Sequence, residues 1–330
     1  MKNILITGGA GFIGSHLTKK LVKKYPEYNI YVVDKLTYAG DLANLEEVKD
    51  KIKFYGYDIC EERVMSKLFE LHEFDGVFHL AAESHVDNSI KDPLTFAKTN
   101  LMGTAIILDN CLKHSSRLVH ISTDEVYGSL DMDPRTHFYE TNCYRPNSPY
   151  AASKAGADHL VYSYFKTYGL DCVITNCSNN YGSHQHPEKL IPLVIKSLIN
   201  NRPIPVYGSG ENVRDWIFVE DHVEALDLVF HKGQAGESYN FGGGLMNETT
   251  NIELIKLICR EYDKIKGNES SISEKLISFV QDRKGHDMRY SVNHDKATLR
   301  LRWKPKTNLN KGLTETIEWY VKNYKNNDSI

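Results

Sequence analysis

Tyr150 and Lys154 stand four residues apart in Tyr150-Ala151-Ala152-Ser153-Lys154, inside a stretch from Pro149 to Tyr168 whose pattern reads as helix. Their side chains therefore share one helix face, a turn apart. A free phenol titrates at about pH 10, too high for a base at neutral pH. A neighbouring ammonium and a positive nicotinamide ring favour the phenolate and bring it into working range. Such a pair suits removal of a hydroxyl proton while the carbon beside it gives up a hydride. Lys154 can also hold a nicotinamide ribose. Upstream, Thr123-Asp124-Glu125 closes an apolar run, and Thr123 can hydrogen-bond the same substrate hydroxyl. Two adjacent carboxylic acids exceed what a plain oxidoreductase needs, so they point to a second kind of proton chemistry. Neighbours on an extended strand face opposite ways, so both acids reach one pocket only if the chain bends there.

These residues need a scaffold. Apolar, β-branched runs at Asn3–Thr7, Asn29–Asp34, Lys53–Tyr57, Gly76–Leu80, Arg117–Ser122 and Asp171–Asn176 read as buried strands. Phe12–Lys24, Glu62–Glu73, Pro93–His114 and Pro149–Tyr168 read as the helices between them. That alternation predicts a parallel, doubly wound α/β sheet buried on both faces. Between the first strand and helix lies Gly8-Gly9-Ala10-Gly11-Phe12-Ile13-Gly14. Glycines there allow a tight turn and close approach of a pyrophosphate, which the helix N-terminus attracts. Asp34 ends the second strand about 20 residues on, where a carboxylate accepts ribose hydroxyls. It would repel a 2′-phosphate, so NAD is expected over NADP, an inference the adjacent Lys35 weakens slightly. Asp58, followed by Ile59, is placed for the adenine edge or for a helix N-cap. Ala81 and its small neighbours would let the cofactor cross the sheet edge. The whole is a Rossmann-type pattern, expected over residues 1–180. After Tyr181, prolines, short segments and the Gly242-Gly243-Gly244 run predict a smaller α+β substrate domain over 181–330. Within it, residues 214–242 are expected to return a strand and helix to the first sheet. The polar stretch Lys264–Lys275 reads as a surface loop and the tail after Tyr320 as frayed.

The 330 residues are ample for such a core, and a formal charge of −3 gives no general attraction to nucleic acid or an anionic membrane. The six cysteines show neither disulfide nor metal spacing and read as small buried hydrophobes, so no metal is expected. With no signal-peptide pattern and no apolar run of membrane length, a reduced, cytoplasmic setting is expected. The Asn-x-Ser/Thr triplets at Asn247, Asn268 and Asn327 then read as accidental.

The glycine spacing with Tyr-x-x-x-Lys resembles the extended short-chain dehydrogenase/reductase family across essentially the whole chain. Thr123-Asp124-Glu125-Val126-Tyr127-Gly128 further resembles the signature of its nucleoside-diphosphate-glucose 4,6-dehydratases, above all those acting on dTDP-glucose. Ala81–Asp87, Asn179–Gly182, Pro187–Pro192, Val213–Trp216 and Asp282–Asp287 carry the same likeness. It implies that Tyr150 deprotonates the glucose 4-hydroxyl as C4 is oxidised, that Glu125 removes the C5 proton, and that Asp124 protonates the departing 6-hydroxyl. NAD would be regenerated each turnover. By the same similarity Arg214 and Arg283 would hold the substrate diphosphate. Ser84, Asn179, Lys189, Asn251 and His286 would contact sugar, phosphate or base. Relatives dimerise through two helices per subunit, here Pro93–His114 and Pro149–Tyr168, so a homodimer is implied. Asn88, Ser183-His184 and Lys284 depart from the usual Arg, Pro-Tyr and Pro. Asn88 resembles the UDP-glucose enzymes, which leaves thymidine and uridine both open. A nucleotide-sugar 4-epimerase would have no use for the two acids. A non-catalytic NAD-binding protein would have none for the Tyr/Lys pair.

Overall fold

The computed structural model describes residues 2–282 and 285–323. Arg283, Lys284 and Asn327, singled out above, lie outside the described residues. Strands β1 (Asn3–Thr7), β2 (Asn29–Val33), β3 (Ile52–Tyr55), β4 (Gly76–His79), β5 (Arg117–Thr123) and β6 (Cys172–Cys177) alternate with helices α1 (Phe12–Lys24), α2 (Glu62–His72), α3 (Val86–Lys91), α4 (Pro93–Phe96), α5 (Thr104–His114) and α6 (Pro149–Tyr168). Downstream come β7 (Asn179–Tyr181), α7 (Leu190–Ile199), β8 (Ile204–Tyr207), β9 (Val213–Phe218), α8 (Val219–Lys232), β10 (Ser238–Phe241), β11 (Glu248–Thr250), α9 (Asn251–Lys266), β12 (Ile277–Val280), α10 (Asp295–Leu301) and α11 (Leu309–Asn323).

Seven parallel strands form the main sheet in the order β10-β6-β5-β4-β1-β2-β3. The side-chain period of two sorts each strand between two cores. Ile4 and Ile6 pack with Leu17 and Leu21 of α1 and with Val223 and Leu226 of α8. Leu5, pointing the other way, packs with Leu68 and Phe69 of α2, Ile107 of α5 and Val161 of α6. Both faces are covered, so the strands are apolar throughout. The chain runs outward from β1 to β2 and β3, then crosses back to β4 on the other side. The carboxyl ends of β1 and β4 therefore flank the crevice where such sheets bind ligands.

A further core gathers Tyr181, Ile191, Val194, Trp216, Leu254, Ile258, Leu313 and Ile317 from β7, α7, β9, α9 and α11. Here two expectations need correction. Strand β9 does not rejoin the main sheet; it pairs parallel with β7 and antiparallel with β11 in a three-stranded sheet. The elements that do return are α8, which lies on the main sheet's face, and β10, which pairs with β6. The second correction is at Lys264–Lys275. Helix α9 continues to Lys266, carried by buried Leu254, Ile255, Ile258, Cys259 and Tyr262, and Ile272–Leu276 forms a 3-10 turn. The buried Asp263 carboxylate holds that turn by accepting from Ser273 N–H at 3.0 Å. A third difference bears on the site. The stretch expected as one helix over Pro93–His114 widens into π-type turns at Ala97–Gly103. From there Asn100 clamps Glu83, accepting from its N–H at 2.8 Å and donating to its carbonyl at 3.0 Å.

Candidate active site

A deep cleft opens at the carboxyl edge of the main sheet, over the ends of β1, β2, β4, β5 and β6. Its inner end is the turn from β1 into α1. Gly8 has φ +71°, and a Cβ there would stand 2.6 Å from Ala81 N; a Cβ on Gly14 would stand 2.1 Å from Gly8 O. Only glycine permits this close packing. Gly11 stands at the N-cap of α1 with no side chain to cap it, and Gly11, Phe12, Ile13 and Gly14 line the cleft. The first-turn N–H groups and the positive helix end are thus presented to an anion.

Asp34 follows β2 directly. It accepts from Ala10 N–H at 3.0 Å and Leu36 N–H at 2.9 Å, and burial raises it above the usual carboxylate range. Asp58 accepts from Cys60 N–H at 2.9 Å, while Lys35 Nζ stands 3.5 Å from its other oxygen. Partial burial works to raise Asp58, but the Cys60 N–H and Lys35 hold it below its ordinary value. Lys35 is thereby turned toward Asp58. Gly8, Asp34, Asp58, Ile59 and Ala81 all line the cleft, so the residues expected to hold the cofactor, apart from Tyr150 and Lys154, are brought to one wall. The uncapped helix end, the glycine cradle and the strand-end carboxylate together fit a dinucleotide.

Beyond that wall the reactive groups assemble. Ser148 caps α6 by accepting from Ala151 N–H at 3.1 Å, and Pro149 takes the first helical position. Tyr150 therefore sits in the first turn, at the cleft, with Lys154 one turn behind. Lys154 Nζ donates to the Ile121 carbonyl at 2.7 Å and is buried, which lowers its pKa against the pull of Asp158. Tyr150 departs from expectation. Burial, and next Glu125, push its phenol well above the ordinary value, with the Thr123 hydroxyl acting the other way. In the protein alone, desolvation is the largest influence on the phenol.

Strand β5 ends at Thr123, and Asp124–Tyr127 turns at once into a 3-10 coil. The Thr123 hydroxyl accepts from Glu125 N–H at 3.3 Å and fixes that bend. This is the kink the two acids require, and both line the cleft beside Tyr150. Asp124 is 2 % exposed, and its Oδ2 has no hydrogen-bond partner among the described residues. Burial, then Glu125 and Asp215, raise it well above the usual carboxylate value.

On the substrate side, Ser84, Asn179 and Lys189 line the cleft, with Lys189 Nζ donating to the Ser84 carbonyl at 2.8 Å. Asn179 Oδ1 is buried without a partner among the described residues. Arg214, Asn251 and His286 are not part of the cleft lining. Arg214 is buried on β9, where it donates to the Val213 carbonyl at 2.7 Å and the Asp287 carbonyl at 2.9 Å, and lies 4.4 Å over the Tyr290 ring. Its charge acts on Asp124, which sets it on the acids' side of the cleft. Asn251 opens α9, and His286 Nδ1 pairs with Asp282 at 2.7 Å.

Sequence reasoning missed Thr99, Cys177, Ser178, Gln185, His186 and Glu188 of the lining, and buried Asp215 behind Asp124. Cys177 and Ser178 were findable, since one ends β6 and the other follows it at the binding edge. Among the described residues no cluster of three His, Cys, Asp or Glu is arranged to hold a metal, and no helix is long and apolar enough to cross a membrane.

The family model described as GDP-mannose 4,6 dehydratase matches residues 5–316. A dTDP-glucose 4,6-dehydratase of Shigella flexneri is 46 % identical, covering 97 % of this chain and 93 % of its own. Among solved structures, a dTDP-glucose 4,6-dehydratase of Streptomyces venezuelae with NAD and dTDP bound superposes with a TM-score of 0.90 at 43 % identity, covering 97 % of each chain. That of Bacillus anthracis, in complex with NAD, gives 0.88 at 41 %, covering 98 % of this chain and 97 % of its own.

Proposed function

The chain belongs to the GDP-mannose 4,6 dehydratase family, and from that premise we propose the reaction and the part each residue plays in it. The enzyme is an NAD-dependent lyase that converts dTDP-glucose to dTDP-4-keto-6-deoxyglucose. The observation that carries this reading is the pair Asp124 and Glu125, bent into the cleft beside Tyr150 and Lys154. An oxidoreductase or epimerase needs the second pair alone.

When bound, NAD accepts the hydride from C4, returns it at C6, and supplies a positive ring that favours the Tyr150 phenolate against the burial that opposes it. Gly8, Gly11, Phe12, Ile13 and Gly14 hold its pyrophosphate, Asp34 a ribose, and Asp58 and Ile59 the adenine side, while Ala81 lets it cross the sheet edge. Tyr150 takes the proton of the 4-hydroxyl, with Thr123 orienting that hydroxyl and Lys154 holding the nicotinamide ribose. A ketone at C4 acidifies the C5 proton, which Glu125 removes. Asp124, holding its proton through burial and the neighbouring carboxylates, gives it to the departing 6-hydroxyl. Water leaves, the C6 position is reduced, and Glu125 returns a proton to C5. Acid and base sit side by side because two carboxyls so close take opposite protonation states.

Arg214, with Arg283 from outside the described residues, takes the diphosphate; Ser84, Asn179 and Lys189 take the sugar side, and Asn251 and His286 the nucleotide side. For Arg214 this requires the substrate to reach past the cleft floor toward β9. We take residues 1–180 with α8 and β10 as the NAD-binding unit and the remainder of 181–330 as the nucleotide-sugar unit. The exposed Leu94, Met102, Tyr162 and Tyr168 on the helical stretches over Pro93–His114 and Pro149–Tyr168 support a homodimer paired through those faces. Six free thiols suit a reducing, cytoplasmic setting.

The test is to incubate the protein separately with dTDP-glucose and UDP-glucose and measure 4-keto-6-deoxy product. Preference for dTDP-glucose is expected. Faster turnover of UDP-glucose would move the base, and a 4-epimer without loss of water would overturn the dehydratase reading.

A further inference from the structure

Three segments meet over the outer mouth of the cleft. The loop after β2 brings Tyr38, the first turn of α3 brings Asn88, and the loop ahead of α7 brings Gln185 to Lys189. The Tyr38 hydroxyl donates to Glu188 Oε1 at 3.3 Å, and the Asn88 side chain stands close enough to act on the same phenol. The His186 ring stands edge-on to Tyr38, with centroids 5.3 Å apart at 81°. One residue after Glu188, Lys189 Nζ reaches the Ser84 carbonyl beyond β4 at 2.8 Å. The segment therefore runs from the nucleotide side of the cleft to the sugar side. Its base is fixed as well. Gln185 Nε2 donates to the Asn180 carbonyl at 2.9 Å, and the Tyr320 hydroxyl of α11 donates to the Gln185 carbonyl.

Gln185, His186, Glu188 and Lys189 form one bank of the cleft, and Thr37, Ala39 and Gly40, flanking Tyr38, form the other. Tyr38 itself is 46 % exposed. It closes the gap from outside, through one neutral-donor hydrogen bond and a ring edge. A bridge anchored at its base and weakly fastened at its tip can open without disturbing the core.

The chemistry gives such a bridge a use. A hydride removed at C4 must be returned at C6 within the same turnover, so a cofactor that left in between would strand the intermediate. We propose that Gln185–Lys189 is a strap across the nucleotide cleft, fastened by the Tyr38–Glu188 hydrogen bond, and that this fastening sets how long NAD stays bound. The proposal rests on the NAD reading above.

The experiment measures NAD release directly. Protein loaded with NAD is mixed with an excess of a second dehydrogenase and its substrate, which convert each released NAD at once. Tyr38→Phe keeps the ring and removes only the donor. Release is expected to quicken about tenfold, the lower end of what one lost hydrogen bond to a carboxylate amounts to. Glu188→Ala should do the same, whereas Glu188→Gln, which keeps an accepting oxygen, should release near the parental rate. Thermal melting of the NAD-free variants should match the parent. Parental release from Tyr38→Phe, or release from Glu188→Gln as fast as from Glu188→Ala, overturns the strap while leaving the cofactor reading intact. A parent protein that takes up no NAD overturns the cofactor reading, and the strap with it.

Discussion

Asp124→Asn separates the two halves of the reaction. The side chain is buried beside Glu125 and Asp215, with Oδ2 unpartnered among the described residues. Asparagine has nearly the same shape, so the site keeps its packing and loses only the proton. Positioned acids contribute roughly 10²–10⁴ in rate, which is about 3–5 kcal/mol of transition-state stabilisation at about 1.36 kcal/mol per tenfold. Net formation of the 4-keto-6-deoxy sugar should fall by about that factor. Oxidation at C4 depends on Tyr150 and Lys154 and should proceed. Rapid mixing of NAD-loaded variant with dTDP-glucose, followed by the absorbance of reduced nicotinamide, distinguishes the steps. In the parent the reduced form should be transient; in Asp124→Asn it should accumulate and decay slowly. A variant that forms product within a few-fold of the parental rate refutes Asp124 as the acid. One that fails to build up reduced nicotinamide shows that the buried carboxyl serves oxidation instead.

Glu125→Gln should abolish exchange of the C5 hydrogen with solvent deuterium while NAD remains bound; exchange at the parental rate would remove Glu125 from that step. Arg214→Ala should weaken substrate binding by roughly 10- to 100-fold, the worth of one or two charge-assisted hydrogen bonds, read by calorimetric titration with dTDP-glucose; unchanged affinity would put the diphosphate elsewhere. Asp215 gives a pH signature, because burial and Glu248 push it up to about 8. The unfolded carboxyl titrates at about 3.9, so between about pH 4 and pH 8 folding takes up a proton here and stability falls as pH rises, by about 1.4 kcal/mol per pH unit. Urea midpoints of Asp215→Asn should therefore gain on the parent as pH rises through that window, and parallel profiles would mean that Asp215 is already ionised in the folded protein.

What was legible follows from what is local. The strands β1 to β6 were placed within about two residues because burial on both faces makes each a continuous apolar run. The turn at Gly8–Gly14 was legible because backbone sterics admit little besides glycine there. Strand β9 was misassigned for the complementary reason. Its apolar stretch, Trp216–Phe218, is as continuous as those of the main-sheet strands, and only its distant partners β7 and β11 decide which sheet it joins. The lining residues Gln185 and Glu188 were hidden likewise, since their loop acquires a role only by crossing to Tyr38 and Ser84.

The two catalytic pairs show where local reading stops even within a motif. Tyr-x-x-x-Lys fixes proximity but not protonation, and burial with Glu125 drives the phenol upward despite Lys154 one turn away. Thr-Asp-Glu fixes adjacency but not direction. The direction comes from the Thr123 hydroxyl, which takes Glu125 N–H and turns an extended strand into a 3-10 coil. Without that bend the two carboxyls would point to opposite faces. The same burial that makes Tyr150 a reluctant base makes Asp124 a ready acid. A site in which burial opposes ionisation throughout favours bringing NAD's positive ring to the phenolate first, and in the proposed order oxidation precedes the elimination that Asp124 serves.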